Sequence, residues 1–203
     1  MGQECASSDK LAPMTHPAFF SPEHLQRAVH SLRAAEVIAY PTEAVWGLGC
    51  DPFSEEAVRH LLDLKQRSES KGLIIIAADI GQLEPWLGGL SPEQKERVTA
   101  TWPGPYTWIV PAHDAPRWLR GEHLTLAVRA SAHPGVQALC GAWGGPLVST
   151  SANRSGEDPF PDAASVQREF GKALGCIFPG QLGGDARPSE IRDAVSGIVL
   201  RPR

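Results

Sequence analysis

The stretch "GLIIIAAD", residues 72–79, constrains the fold more than any other part of this chain. Leu73 to Ile76 leave no polar face, so a strand here has to be covered on both sides. Helices can supply that cover, and the flanking sequence encodes them. "SPEHLQRAVHSLRAA" places Ser21 as N-cap, Pro22 at the first helical position and Glu23 in the first turn. Leu25, Val29 and Leu32 follow at helical spacing. "SEEAVRHLLDLK" repeats the logic, with Ser54 as cap and Val58, Leu61, Leu62 and Lys65 on one side. Ser91-Pro92-Glu93 opens another helix, one follows Pro134, and one is expected near 162–170. Strands are expected at Val37–Tyr40, "YTWIVPA", "LTLAVRA", "PLVSTSAN", Cys176–Phe178 and Gly197–Arg201. This alternation predicts an α/β fold: a single domain over 19–203 with a twisted mixed sheet and flanking helices, after a loose polar tail at 1–18.

Several function classes are set aside by what the chain lacks. The net charge of −4 argues against a surface coated for nucleic acid, though a local basic cleft stays compatible with it. Cys5, Cys50, Cys140 and Cys176 form no CxxC pair and the seven histidines no HExxH, so no protein-bound metal is inferred. They read as thiols of a reducing cytoplasm. No signal peptide is visible and no run approaches ~18 apolar residues, so no membrane partner is expected. Neither GxxxxGK[ST] nor GxSxG occurs. Gly47 and Gly49 in "YPTEAVWGLGCDP" lack the third glycine of a dinucleotide loop and read as a turn.

The polar residues that remain gather at strand ends. In an extended "PLVSTSAN", Ser149, Ser151 and Asn153 share a face at period two. In "LKQRSESKGLIII", Lys65, Arg67, Glu69 and Lys71 would share one face of an extended loop, a net cationic row at the mouth of the sheet. Arg129 ends the apolar run "TLAVRA" and needs a partner, either a carboxylate of the protein or a ligand anion. Glu43, the acid nearest Thr42, reads as structural. A cationic row facing a hydroxyl and amide row suits a polyanion held beside a smaller polar ligand.

These motifs resemble the threonylcarbamoyl-AMP synthase family (YrdC/TsaC) in its short, single-domain form. "YPTEAVWGLGCDP", "LKQRSESKGLIIIAA", "WPGPYTWIVPA", "LAVRASAHP", "PLVSTSAN" and "PSEIRDAVSG" carry the resemblance, from about residue 22 to the C-terminus. It implies the YrdC-like fold with a large concave, positively charged cleft. The implied reaction converts L-threonine, bicarbonate and ATP, with Mg2+ accompanying the nucleotide, into L-threonylcarbamoyladenylate and pyrophosphate. That product serves t6A modification of tRNA, so tRNA or the downstream t6A-transferase proteins are the implied partners. Residue by residue, Lys65 and Arg67 match the family's KxR, and Ser151 and Asn153 its SxN, as the catalytic set. Thr42, Arg129, Ser149, Ser151 and Ser189 fall on the threonine side. Lys65, Arg67, Lys71, Thr125, Asn153 and Arg201 fall on the nucleotide side. The chain departs from the family where Ser68 follows Arg67 in place of a common proline, and where Lys71-Gly72 replaces Asn-Pro. Two other readings are an RNA-binding module using the same basic groove and a carbamoyl-transfer domain with another carbamoyl source.

Overall fold

The helix starts are capped as the residues require. In this computed structural model, which describes residues 20–185 and 187–203, the Ser21 hydroxyl accepts from the His24 N–H and opens α1 (Pro22–Arg33). Ser54 accepts from Ala57 at 3.3 Å and opens α2 (Glu55–Lys65). Ser91 accepts from Gln94 at 3.3 Å and opens α4 (Pro92–Thr99), just after the short α3 (Glu84–Leu87). Each cap satisfies an N–H that the helix itself cannot bond. Further on come α5 (Arg117–Arg120), α6 (Pro134–Trp143) and α7 (Ala163–Phe170). The stretch 1–18, read as a tail, and Cys5 lie outside the described residues.

Among the described residues nine strands form one mixed sheet in the order β7-β1-β2-β6-β3-β5-β4-β8-β9. They are β1 (Ile38–Pro41), β2 (Trp46–Gly49), β3 (Ile74–Ala77), β4 (Tyr106–Pro111), β5 (Thr125–Ala130), β6 (Leu147–Ser151), β7 (Cys176–Ile177), β8 (Glu190–Asp193) and β9 (Val199–Arg201). Beside β3, β5 runs parallel and β6 antiparallel, so the expected single-domain α/β sheet with flanking helices is what forms.

Strand alternation sorts the side chains onto two unequal faces. Ile75, Ala77, Trp108, Val110, Val128 and Val148 enter the larger core with Val58 and Leu61 of α2 and Val98 of α4. The opposite face packs Ile38, Tyr40, Ile76 and Leu147 under Ala28 and Leu32 of α1 and Val136 and Leu139 of α6. Burying an aliphatic side chain such as Ile75 contributes roughly 1.5–3 kcal/mol. This second face is covered only in part. Ile74, Thr107, Arg129, Ser149 and Ser151 stand on it and line an open cavity. Ile74 is accordingly half-buried, while Ile75 to Ala77 are covered on both sides as expected.

Three local expectations are corrected. The glycine-bearing stretch read as a turn is strand β2, antiparallel to both β1 and β6. A Cβ on Gly49 would lie 2.4 Å from the Val148 carbonyl and 2.8 Å from the Tyr40 ring, so glycine serves close packing there, not a phosphate. Strand β8 was not foreseen: "EIRD" has no apolar pattern and becomes a strand through parallel pairing with β4. The Lys65–Lys71 segment is not extended. Helix α2 runs through Lys65, Gln66 caps it at φ 50°, and Glu69–Lys71 form one 3-10 turn. Ser68, where the family often has proline, accepts from the Ser70 N–H and caps that turn.

Candidate active site

The cavity on the open face has a volume of about 310 Å³. Seven of the eleven residues expected at the site line it: Thr42, Arg67, Arg129, Ser149, Ser151, Ser189 and Arg201. The sheet order is what assembles them. Strand β6, carrying Ser149 and Ser151, lies beside β3, whose other neighbour β5 carries Arg129. Thr42 follows β1 directly, and its hydroxyl donates to the Val45 carbonyl at 2.7 Å across the turn into β2. Ser189 precedes β8 and shares a 2.8 Å hydroxyl–hydroxyl bond with Thr107. Arg201, on β9, donates to the Ser189 carbonyl at 2.7 Å.

The strand-end arginine finds its partner inside the protein. Arg129 Nη2 lies 2.5 Å from Glu43 Oε1, a charge contact without hydrogen-bond alignment, and Nε donates to the Gly104 carbonyl at 3.0 Å. Glu43 Oε1 also accepts from the Ser131 hydroxyl at 2.7 Å and the Ala132 N–H at 3.2 Å. Burial pushes the Glu43 carboxyl up, but the Arg129 guanidinium and the Ser131 hydroxyl more than offset it and hold it below the usual range. Burial pulls the Arg129 guanidinium down, and Glu43 opposes that. The chain between β7 and β8 straps over this pair: the Gly183 and Asp185 N–H groups donate to the Thr42 and Glu43 carbonyls, both at 3.0 Å.

The two halves of the KxR motif separate. Arg67 lines the cavity; one Nη2 bond to the Gly72 carbonyl at 2.9 Å anchors it, Nε has no partner, and burial lowers its pKa. Lys65 is 2% exposed and outside the cavity wall. Its ammonium donates to the Ser151 carbonyl, to the Asn153 carbonyl at 2.6 Å and to Asn153 Oδ1 at 3.4 Å. Burial first, then Arg67, lowers its pKa to about 8. Lys65 therefore stands at the end of a helix, not in the extended row expected for it.

Three other residues also stand apart from the cavity wall. The Asn153 amide is consumed by the protein: Oδ1 accepts from Lys65 and from the Ser151 hydroxyl, and Nδ2 donates to the Arg154 carbonyl at 2.9 Å and the Glu157 carbonyl at 2.6 Å. Lys71 is exposed, 3.5 Å from the Ser155 hydroxyl. Thr125 begins β5, opposite Pro111, four residues or about 13 Å along the strand from Arg129. Conversely, Thr107 and Thr150 line the cavity without having been foreseen. Thr107 is one hydroxyl in an apolar strand, and only the position of β4 next to β5 reveals it.

Comparison with known proteins settles the family. A model of the Sua5, YciO and YrdC proteins, described as "Telomere recombination", matches residues 30–202. The chain belongs to the Sua5/YciO/YrdC family. Over 180 residues it is 56% identical to a threonylcarbamoyl-AMP synthase of Chromohalobacter salexigens, covering 88% of this chain and 97% of that one. A protein of the same name from Halorhodospira halophila is 52% identical over 181 residues, with 89% and 95% covered. Among solved structures, P. abyssi Sua5 complexed with L-threonine superposes with a TM-score of 0.77 at 31% identity. That match covers 83% of this chain and 50% of the Sua5 chain, so this Sua5/YciO/YrdC member spans half the length of that relative.

Among the described residues no three His, Cys, Asp or Glu side chains gather as metal ligands. Nor is any described helix long and apolar enough to cross a membrane. Cys50 and Cys140 are free and buried, and burial pushes the Cys140 thiol up to about 12.

Proposed function

We propose that this chain is a threonylcarbamoyl-AMP synthase, a nucleotidyltransferase forming L-threonylcarbamoyladenylate and pyrophosphate from L-threonine, bicarbonate and ATP. The cavity lining carries this reading. Its polar side chains are three arginines and six hydroxyls, with no carboxylate, imidazole or thiol among the described lining residues. Such a wall offers no base-activated protein nucleophile, so it suits chemistry in which the substrate brings its own. The threonine amine adds to the carbon derived from bicarbonate, water leaves, and a carbamate forms. A carbamate oxygen then attacks the α-phosphorus while the bond to pyrophosphate breaks. The protein's part is to hold the reactants within ~3–3.5 Å and to neutralise developing charge.

In this reading Arg129 faces the threonine carboxylate, amid Thr42, Ser149, Ser151 and Ser189. Arg67 and Arg201 face the phosphates, with Lys71 at the rim, and Mg2+ arrives with ATP as part of the substrate. The wall gives no role to Thr125. The product would supply the threonylcarbamoyl group for t6A in tRNA, and the buried free thiols fit the cytoplasm. Neither the RNA-groove reading nor another carbamoyl source is favoured by any feature of the site. Pyrophosphate release from ATP, measured with threonine and bicarbonate each omitted in turn, tests the proposal. Release should require both; release indifferent to threonine would refute it.

A further inference from the structure

We propose that Lys65 is a positioning residue that acts through Asn153 to make the Ser151 hydroxyl a pure hydrogen-bond acceptor toward threonine, and that it does not grip the nucleotide. The inference rests on the synthase reading above. An ammonium has three N–H donors. Those of Lys65 meet three acceptors, the Ser151 carbonyl, the Asn153 carbonyl and Asn153 Oδ1, so none is left for a phosphate. The group is also buried and outside the cavity wall. Its own carbonyl accepts from the Ser155 N–H at 2.9 Å, so the lysine holds the turn after β6 at both ends.

The Asn153 amide can sit only one way round. Its Nδ2 faces two carbonyls, of Arg154 and Glu157, and its Oδ1 faces an ammonium; a flipped amide would set donor against donor and acceptor against acceptor. With Oδ1 so placed, the Ser151 hydroxyl spends its single proton on it. Ser151 lines the cavity, and what it can still offer a ligand there is lone pairs. Thr42 is in the same state, its proton held by the Val45 carbonyl. Lone pairs of this kind receive N–H or O–H groups and repel phosphate and carboxylate oxygens. Threonine carries such donors on its amine and its hydroxyl, whereas the triphosphate offers acceptors only. The arginines take the anions, and the lysine, through the asparagine, keeps one hydroxyl turned to the opposite task.

A double-mutant cycle on the full-length enzyme separates this from a phosphate contact. Lys65→Met should raise KM for threonine about tenfold while KM for ATP stays within about twofold; in a Ser151→Ala background the same change should cost less than about threefold, because the lysine's route is already cut. Asn153→Leu, which leaves Lys65 and its two carbonyl partners in place, should reproduce the threonine-selective effect and keeps the test open if Lys65→Met does not fold. A rise in KM for ATP in either variant, or a Lys65→Met loss undiminished by Ser151→Ala, would overturn the proposal. Wild-type enzyme without threonine-dependent pyrophosphate release would fail at the synthase reading instead, before any variant is compared.

Discussion

Arg129 and Arg201 enter one cavity from regions built on different terms. Arg129 sits on β5, hydrogen-bonded to strands on both sides, is 9% exposed, and is fixed by Glu43 and Gly104. Arg201 sits on β9, the last strand of the sheet, between exposed Leu200 and the C-terminal residues, and leans on the residue Ser189. The difference teaches where the ordering cost of this site is met. In the centre, folding has already fixed the guanidinium that the proposed function turns to threonine. At the edge, side-chain freedom must be lost if Arg201 is to grip a nucleotide as proposed.

Arg129→Met is the harshest way to break that contrast. It leaves the Glu43 carboxylate buried without its cation, and losing one partner of a buried pair costs about 3–5 kcal/mol. A large drop in the urea midpoint, together with loss of threonine binding, is expected. An unchanged midpoint would mean that Glu43 does not depend on the pair.

Arg67 stands between the two extremes, anchored by a single bond on the loop after α2. Arg67→Ala should remove about 2–3 kcal/mol of transition-state stabilisation with the midpoint little changed, and Lys should restore only part of it, lacking the planar fork. Turnover within twofold of wild type in a folded variant would show that Arg67 does not touch the transferring phosphate.

The edge should be the most forgiving. Arg201→Ala is expected to cost about 1 kcal/mol, read as a raised KM for ATP, with stability within about 0.5 kcal/mol. A loss equal to that of Arg67→Ala would erase the distinction between centre and edge.

A pH slope tests the buried lysine between these regions. Lys65 has a pKa of about 8 in the folded protein against 10.5 for an ordinary lysine. Between those values the unfolded chain binds more protons, so the lysine's contribution to stability rises with pH through this window and is lost as pH falls through 8. Wild-type stability relative to Lys65→Met should therefore improve from pH 8 upward, as urea midpoints of the two proteins would reveal. A flat difference would place the ammonium in contact with water.

Local rules carried far in this chain. Ser21, Ser54 and Ser91 announce helix starts because a capping hydroxyl acts within a few residues of itself. The apolar run at Leu73–Ala77 demands cover because no alternation is available to it. The row Ser149–Ser151 could be read as sharing a face, since strand geometry imposes period two whatever the fold. The motif order pointed to the family for the same reason: it is written along the chain.

Tertiary structure decided what depends on neighbours distant in sequence. Glu43 and Arg129 become a pair because the fold brings a residue just after β1 against the end of β5, far apart in the chain. "EIRD" becomes a strand because β4 offers it an edge. Lys65 and Arg67, two residues apart and alike in charge, part company because α2 ends between them. The lysine keeps to the helix's buried side, where three oxygens of the β6 turn await it, while the arginine follows the left-handed cap at Gln66 out into the cavity. Charge and spacing are properties of the sequence, but which donors are already spent is a property of the packed molecule.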